Sequence, residues 1–215
     1  MHTIVLATKN LGKIREFAEL LAGWPVRVLS IRDWPDLPEI IEDGATFAEN
    51  ALKKARAVCQ HTGLLALADD SGLEVDYLGG APGVLSARFA GEPIDDDRNN
   101  RKLLTLLEGV PLEQRTARFR CVIAIVTPTS ESFLTEGICE GIIGQELAGT
   151  GGFGYDPLFY LPAYGRTMAQ LSLEVKNSIS HRAKALREAS RVLLELLGES
   201  SPPAGGGPGA NWRAE

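Results

Sequence analysis

Thr3-Ile4-Val5-Leu6-Ala7-Thr8-Lys9-Asn10-Leu11-Gly12-Lys13 lies at the start of the chain, and a change of period inside it decides the fold. The first six residues are a short apolar, partly β-branched run, the mark of a buried strand. From Leu11 onward, Leu11, Ile14, Phe17, Ala18 and Leu21 recur at helical spacing until Gly23 and Pro25 close the segment. Thr8 to Lys13 therefore form a strand-to-helix turn. A second helix is predicted from Thr46 to about Gln60, because Thr46 and Glu49 have capping-box spacing and Phe47, Ala51, Leu52 and Ala55 share a face. Leu64-Leu65-Ala66-Leu67-Ala68 then reads as another buried strand, ending at Asp69-Asp70-Ser71-Gly72. Arg118 to Thr127 and Ser132 to Ile143 read as long consecutive strands, and the last helix, from near Ser180, buries Ala185, Leu186, Ala189, Val192, Leu193 and Leu196. Alternating strands and helices give an α/β architecture, and the consecutive strands make its sheet mixed. Ligands of such sheets bind outside the strand carboxyl ends, where both polar loops are expected.

Composition narrows the functions. A chain of 215 residues with 44% hydrophobic and 23% charged residues is an ordinary globular protein that folds without a metal or disulfide staple. Its apolar runs, such as Cys121 to Val126, are too short to span a bilayer, and Met1-His2-Thr3 enters a strand with no basic leader, so the expectation is cytoplasmic. Cys59, Cys121 and Cys139 are scattered, with no zinc-like spacing, and read as reduced packing residues. A formal charge of -6 repels nucleic acid and anionic lipid, but leaves room for a small anion gripped by local cations. Residues 198–215, rich in glycine, proline and serine, read as a disordered tail beyond a domain of residues 1–197.

Three segments carry chemistry. Lys9 and Lys13 flank a helix start, whose open backbone N–H groups and dipole suit a phosphate; no P-loop string occurs. Glu42-Asp43-Gly44 precedes a helix and Asp69-Asp70 abuts a strand, where paired acids are costly unless they are hydrogen-bonded or hold a cation such as magnesium. In Lys176-Asn177-Ser178-Ile179-Ser180-His181-Arg182, a histidine adjoins an arginine at a helix start. Each has a plainer reading: lysines on a solvated face, Asp70 as a turn acceptor, Ser180 as a helix cap with Arg182 exposed behind it. Asp95-Asp96-Asp97 reads as a solvated helix N-terminus.

Six strings stand in order between residue 3 and about residue 197: Ala7-Thr8-Lys9-Asn10-Leu11-Gly12-Lys13; Glu42-Asp43-Gly44 with Thr46-Phe47 and Glu49-Asn50-Ala51; Ala68-Asp69-Asp70-Ser71-Gly72-Leu73; Gly79-Gly80-Ala81-Pro82-Gly83 with Ser86-Ala87-Arg88; Gly151-Gly152-Phe153-Gly154-Tyr155-Asp156-Pro157; and Ser180-His181-Arg182. Together they resemble the inosine and xanthosine triphosphate pyrophosphatases, which remove deaminated purine nucleotides. The resemblance implies an elongated, two-lobed α/β domain with a central mixed β-sheet, a nucleotide cleft between the lobes, and a homodimer. It implies that Thr8, Lys9, Asn10, Leu11, Gly12 and Lys13 bind the triphosphate, that Glu42 and Asp70 sit at Mg2+, and that Asp70 accepts the proton. Ser71, Phe153, Gly154, Tyr155, Asp156, Lys176, His181 and Arg182 match its substrate-binding positions. Val175 stands where a glutamate is frequent.

The expected reaction is hydrolysis of ITP, dITP or XTP to the monophosphate and pyrophosphate. Lys13, Lys53 and Lys176 are the candidate counter-charges, although Lys53 equally fits a solvent-facing position, and Asp69 is a further candidate for the ion. A donor facing the purine C6 oxygen, from Arg182, His181 or a backbone N–H, disfavours adenine, and Phe153 is the candidate for stacking on the base, the alternative being that it packs beneath the glycine loop. Two alternatives remain: a Maf-like nucleotide pyrophosphatase with another base preference, and a non-catalytic nucleotide-binding module.

Overall fold

The computed structural model of the protein describes residues 2–198. Its strands are β1 His2–Leu6, β2 Val26–Ser30, β3 Leu65–Val75, β4 Thr116–Val126, β5 Ser132–Ile143, β6 Phe159–Leu161 and β7 Arg166–Thr167. Its α-helices are α1 Leu11–Leu20, α2 Phe47–Thr62, α3 Asp96–Leu106, α4 Leu173–Ile179 and α5 His181–Leu197. Among the described residues, seven strands form one sheet in the order β2-β1-β3-β4-β5-β6-β7. β1 pairs parallel with β2 and β3, while β6 pairs antiparallel with β5 and β7, so the α/β, mixed-sheet expectation holds.

The chain packs as two compact units, one of residues 2–70, 121–137 and 182–198, the other of residues 71–120 and 138–181. Each has its own apolar core. In the first, Ile4, Leu6 and Leu67 meet Ile123 and Ile125 and the α5 residues Ala185, Leu186, Ala189 and Leu193. In the second, Leu73 and Val75 meet Leu103, Leu107, Phe119, Phe159 and Met168.

Local chemistry accounts for most boundaries. Thr46 Oγ1 accepts the Glu49 N–H at the start of α2, and Gly63, with φ of 66°, closes it in the left-handed conformation. The Glu49 carboxylate reaches one residue further back than a capping box requires, to the Ala45 N–H at 2.7 Å. In α1 the predicted face is only partly right. Phe17 and Leu21 are buried with Glu16, whereas Leu11 and Ala18 are exposed, because a buried ion pair has claimed the helix's inner side.

One boundary differs in a way that matters. The strand expected to stop at Ala68 continues as β3 through Asp69, Asp70, Ser71 and Gly72 to Val75. Asp-Asp-Ser-Gly has turn composition, but here the carboxylates find partners on both faces of an extended backbone, so no turn is needed. β2, β6, β7 and α4 carry no comparable signal in the sequence: β6 and β7 are three and two residues long, and β2 and α4 only five and seven. The expected tail of residues 198–215 lies, beyond Gly198, outside the described residues.

Candidate active site

β1 and β3 are in register from Ile4↔Leu65 to Leu6↔Leu67, and the Ala7 N–H still reaches the Leu67 carbonyl at 2.9 Å. Beyond this point β3 runs on without β1 beside it, so Asp69 and Asp70 stand at the carboxyl end of β1. Successive strand residues point to opposite faces, and the two aspartates accordingly meet different helices. Asp69 faces α1 and α5, and Asp70 faces α2.

On the first face lies an alternating chain of charges. The Glu16 carboxylate pairs with the Arg182 guanidinium, Arg182 Nε and Nη2 each donate to Asp69 Oδ2 at 3.3 Å, and Lys13 Nζ lies 2.8 Å from the same oxygen. Glu16, Asp69 and Arg182 are each at most 3% exposed. Burial alone would raise the Asp69 pKa, but Lys13, Arg182 and then Lys54 hold it well below the ordinary carboxylate range. Burial likewise opposes the charge on Arg182, yet Glu16 and Asp69 raise its pKa. Arg182 is thus an interior residue, and the alternative in which it is an exposed first-turn residue does not hold. Glu16 was missed, since a glutamate one turn into a helix looks like any solvated acid.

On the second face, Lys54 Nζ donates to Glu42 Oε2 at 2.6 Å and to Asp70 Oδ1 at 3.4 Å. Asn50 Nδ2 donates to Asp70 Oδ2 at 3.0 Å, while Asn50 Oδ1 accepts the Gly44 N–H at 2.8 Å. One carboxamide therefore ties the loop carrying Glu42 to the strand carrying Asp70. Asn50 and Lys54 lie one helical turn apart on the buried stripe of α2, with Ala51, Ala55 and Val58. That stripe was the available signal for Lys54: a lysine in register with buried alanines has a partner or is not buried. Lys53, the lysine singled out from sequence, instead pairs at the surface with Asp43, whose side chain is 67% exposed.

The two ends of the Lys54–Asp70 pair shift unequally. Burial works against the Lys54 charge, but Asp70, Asp69 and Glu42 together raise its pKa. At Asp70 burial wins and its pKa is raised, despite Lys54, Lys13 and the Asn50 hydrogen bond. One ammonium serves several carboxylates, and Asp70, at 3.4 Å, receives the smaller share. A buried carboxylate held charged against its preference is a good acceptor for a proton or a cation. Asn50→Ala should strip the bond from Asp70 and leave the Gly44 N–H unsatisfied; a loss of about 1–3 kcal/mol is expected in urea unfolding.

The expected phosphate loop is partly modified by its own cap. Asn10 Oδ1 accepts the N–H groups of Gly12 at 2.8 Å and Lys13 at 3.1 Å, and the Asn10 N–H reaches Thr8 Oγ1 at 3.2 Å. The first-turn amides expected to be open are therefore capped, because asparagine is among the best N-cap residues. Lys9 and Leu11 are exposed, Lys13 side chain is 15% exposed, and Lys13 is drawn to Asp69.

In the second unit, Ser71 follows Asp70 on β3 and is half-buried. The glycine-rich loop is pinned from within: Asp156 Oδ2 accepts the Phe153 N–H at 2.9 Å and Lys176 Nζ at 2.7 Å. Gly152 is required there, since a Cβ on it would stand 1.9 Å from Asp156 Oδ2. Lys176 Nζ also lies 4.9 Å from the Phe153 ring centroid. Tyr155 donates its hydroxyl to the Ser86 carbonyl at 2.8 Å, and burial, followed by the nearby Asp96, raises its pKa. His181 is buried with its ring stacked on Phe119 at 4.8 Å.

A dITP/XTP pyrophosphatase from Desulforamulus reducens is 62% identical over 193 residues, covering 90% of this chain and 96% of that protein. One of the same name from Geobacillus kaustophilus is 54% identical over 198 residues, covering 92% and 97%. The solved structure of a HAM1 protein from Coxiella burnetii superposes with a TM-score of 0.82 at 44% identity, covering 91% of this chain and 100% of that one. Residues 4–192 match the Ham1 family. Since that match takes in both faces of the acidic strand and the helices that serve them, the chain belongs to the Ham1 family.

Proposed function

We propose that the protein hydrolyses the noncanonical purine nucleoside triphosphates ITP, dITP and XTP to the monophosphate and pyrophosphate. The observation that carries the reading is the meeting of Glu42 and Asp70 on one ammonium, that of Lys54, with Lys13 on the opposite face, paired to the adjacent Asp69 and close enough to act on the Asp70 charge. Two carboxylates and two lysines at one strand end suit a triphosphate accompanied by a divalent cation. The base class rests on the names of the relatives.

Magnesium fits the donor set. Glu42 and Asp70 are hard oxygen ligands, and Mg2+ takes one or two carboxylates, leaving its other positions to water and phosphate. Among the described residues no group of three or more His, Cys, Asp or Glu side chains is arranged for a metal, so a softer or more protein-ligated ion finds no match. When bound, the ion neutralises phosphate charge and eases departure of pyrophosphate. Asp69, engaged by Lys13 and Arg182, is left to position those cations rather than to ligate.

In the reaction we propose, Asp70 takes a proton from water as its oxygen attacks the α-phosphorus, and the bond from that phosphorus to the bridging oxygen breaks. Lys13 and Lys54 counter the negative charge on the phosphates, in a region where burial strengthens such contacts. The loop of Thr8, Lys9, Asn10, Leu11 and Gly12 lies along the phosphates. By the family resemblance, Phe153 stacks on the purine, within a loop of Gly154, Tyr155 and Asp156 anchored by Lys176, and Ser71 contacts substrate. With the Arg182 guanidinium held by Glu16 and Asp69, His181 is the better donor to the C6 oxygen, which hypoxanthine and xanthine share and adenine lacks. A cytoplasmic location is proposed as well, supported by three buried free cysteines; no described helix is long and apolar enough to cross a membrane. A homodimer is proposed from the family resemblance and is tested by light scattering.

Hydrolysis of ITP in heavy-oxygen water tests the reaction. Label is expected in the monophosphate, with pyrophosphate released in equal amount. Label in orthophosphate, with inosine diphosphate as co-product, would place the cleavage at the terminal phosphate and overturn the reading.

A further inference from the structure

We infer that Asp96 and Asn100 of α3 form a two-pronged clasp on the Gly154 peptide, and that they are positioning residues for base recognition. The inference rests on the reading of Phe153 as the purine-stacking residue. Asp96 and Asn100 are four residues apart and so share one face of α3. Asp96 Oδ2 accepts the Gly154 N–H at 2.8 Å, and Asn100 Nδ2 donates to the Gly154 carbonyl at 2.9 Å. Both polar groups of a single residue, the one next to Phe153, are thus held from one helix face.

Three observations show that the clasp serves the loop rather than the helix. Asp95, not Asp96, caps α3, its carboxylate accepting the Arg98 N–H at 2.9 Å. Asp96 is exposed, so the helix has no need of it for packing. Asn100 is only 2% exposed, and its Oδ1 meets no donor among the described residues. A buried acceptor left without a donor is costly, yet the side chain is kept where its Nδ2 meets Gly154. The neighbouring Asn99 does similar work on another segment, accepting the Ala90 N–H at 2.7 Å and donating to the Ala87 carbonyl at 2.9 Å.

The consequence is an ordered ring. Asp156 fixes the Phe153 N–H, Lys176 lies over the ring, and the clasp fixes the peptide that follows. The torsions on both sides of Phe153 are therefore set before any base arrives. Preorganisation of this kind lowers the cost of ordering on binding. It acts on the base and not on the phosphates, which separates it from a general stabilising role.

Asp96→Ala, Asp96→Asn, Asn100→Asp and Phe153→Ala are compared in steady-state hydrolysis of ITP and in competitive inhibition by inorganic tripolyphosphate, a probe without a base. Asp96→Ala is expected to raise KM for ITP about five- to tenfold, the worth of roughly one hydrogen bond, and to leave tripolyphosphate inhibition within about twofold. Asp96→Asn keeps an acceptor oxygen and should restore KM, while Asn100→Asp turns the donor into an acceptor and should not. An unchanged KM in Asp96→Ala beside an impaired Phe153→Ala overturns the clasp, as does a parallel loss of tripolyphosphate binding. An unchanged KM in Phe153→Ala overturns the stacking reading and takes the clasp with it.

Discussion

Asp70→Asn is expected to lose roughly a hundredfold to ten-thousandfold in kcat while retaining affinity for ITP, and to make the metal-free protein more stable. The first effect follows because an amide accepts no proton from water and ligates a hard cation poorly. The second follows from the direction of the Asp70 shift. Burial raises its pKa in the folded state, so around neutral pH the folded protein holds a charge that the unfolded chain carries more easily. The favourable contribution of the protonated form is present below the unfolded pKa and lost as pH rises through the folded one. The stability gained by Asp70→Asn should therefore be greatest near neutral pH and shrink as pH falls toward the ordinary carboxylate range. Asp69, whose pKa is lowered, has the opposite sign, and its contribution fails only below that range. Thermal unfolding of both proteins in chelator across pH measures this. Near-wild-type turnover, or a variant less stable at neutral pH, would contradict the role given to Asp70. Gain of stability with loss of activity is the usual mark of a site strained for function.

Arg182→Met is expected to cost about 3–5 kcal/mol of folding stability, the usual penalty for removing one partner from a buried ion pair. The variant takes the guanidinium away from both Glu16 and Asp69, two buried carboxylates, while Lys13 still pairs with Asp69. The double variant Glu16→Leu with Arg182→Met removes both members of the buried pair, and should be more stable than the sum of the single losses predicts. Urea unfolding of the set measures the coupling. A single-variant loss below about 1 kcal/mol, or strictly additive losses, would show that Arg182 does not bridge the two carboxylates.

Much of the fold was legible where apolar periodicity is strong. β1, α1, α2, β5 and α5 fall close to their expected positions because each buries a stripe or run of aliphatic residues in one of two cores. The passage of β3 through Asp69 to Gly72 was not legible, because composition cannot report that a carboxylate meets a guanidinium from a residue more than a hundred positions away. The candidate site residues divide in the same way. Glu42, Asp70 and Lys13 are candidates from their motifs, and the structure places them at one strand end. Lys54 and Asn50 were passed over in favour of Lys53, though helical phase alone puts Lys54 in line with Ala51 and Val58. Asp96 was read as a solvated end charge. It is exposed as expected, but its hydrogen bond to Gly154 joins segments far apart in sequence, and no local pattern announces such a contact.

The most direct measurement of the central claim is the rate of pyrophosphate release from ITP, XTP and ATP, each assayed with and without Mg2+. Rapid release from ITP and XTP only when the ion is present, with kcat/KM for ATP lower by at least about a hundredfold, is the predicted result. Equal kcat/KM for ATP and ITP, or release that is indifferent to the cation, would contradict it.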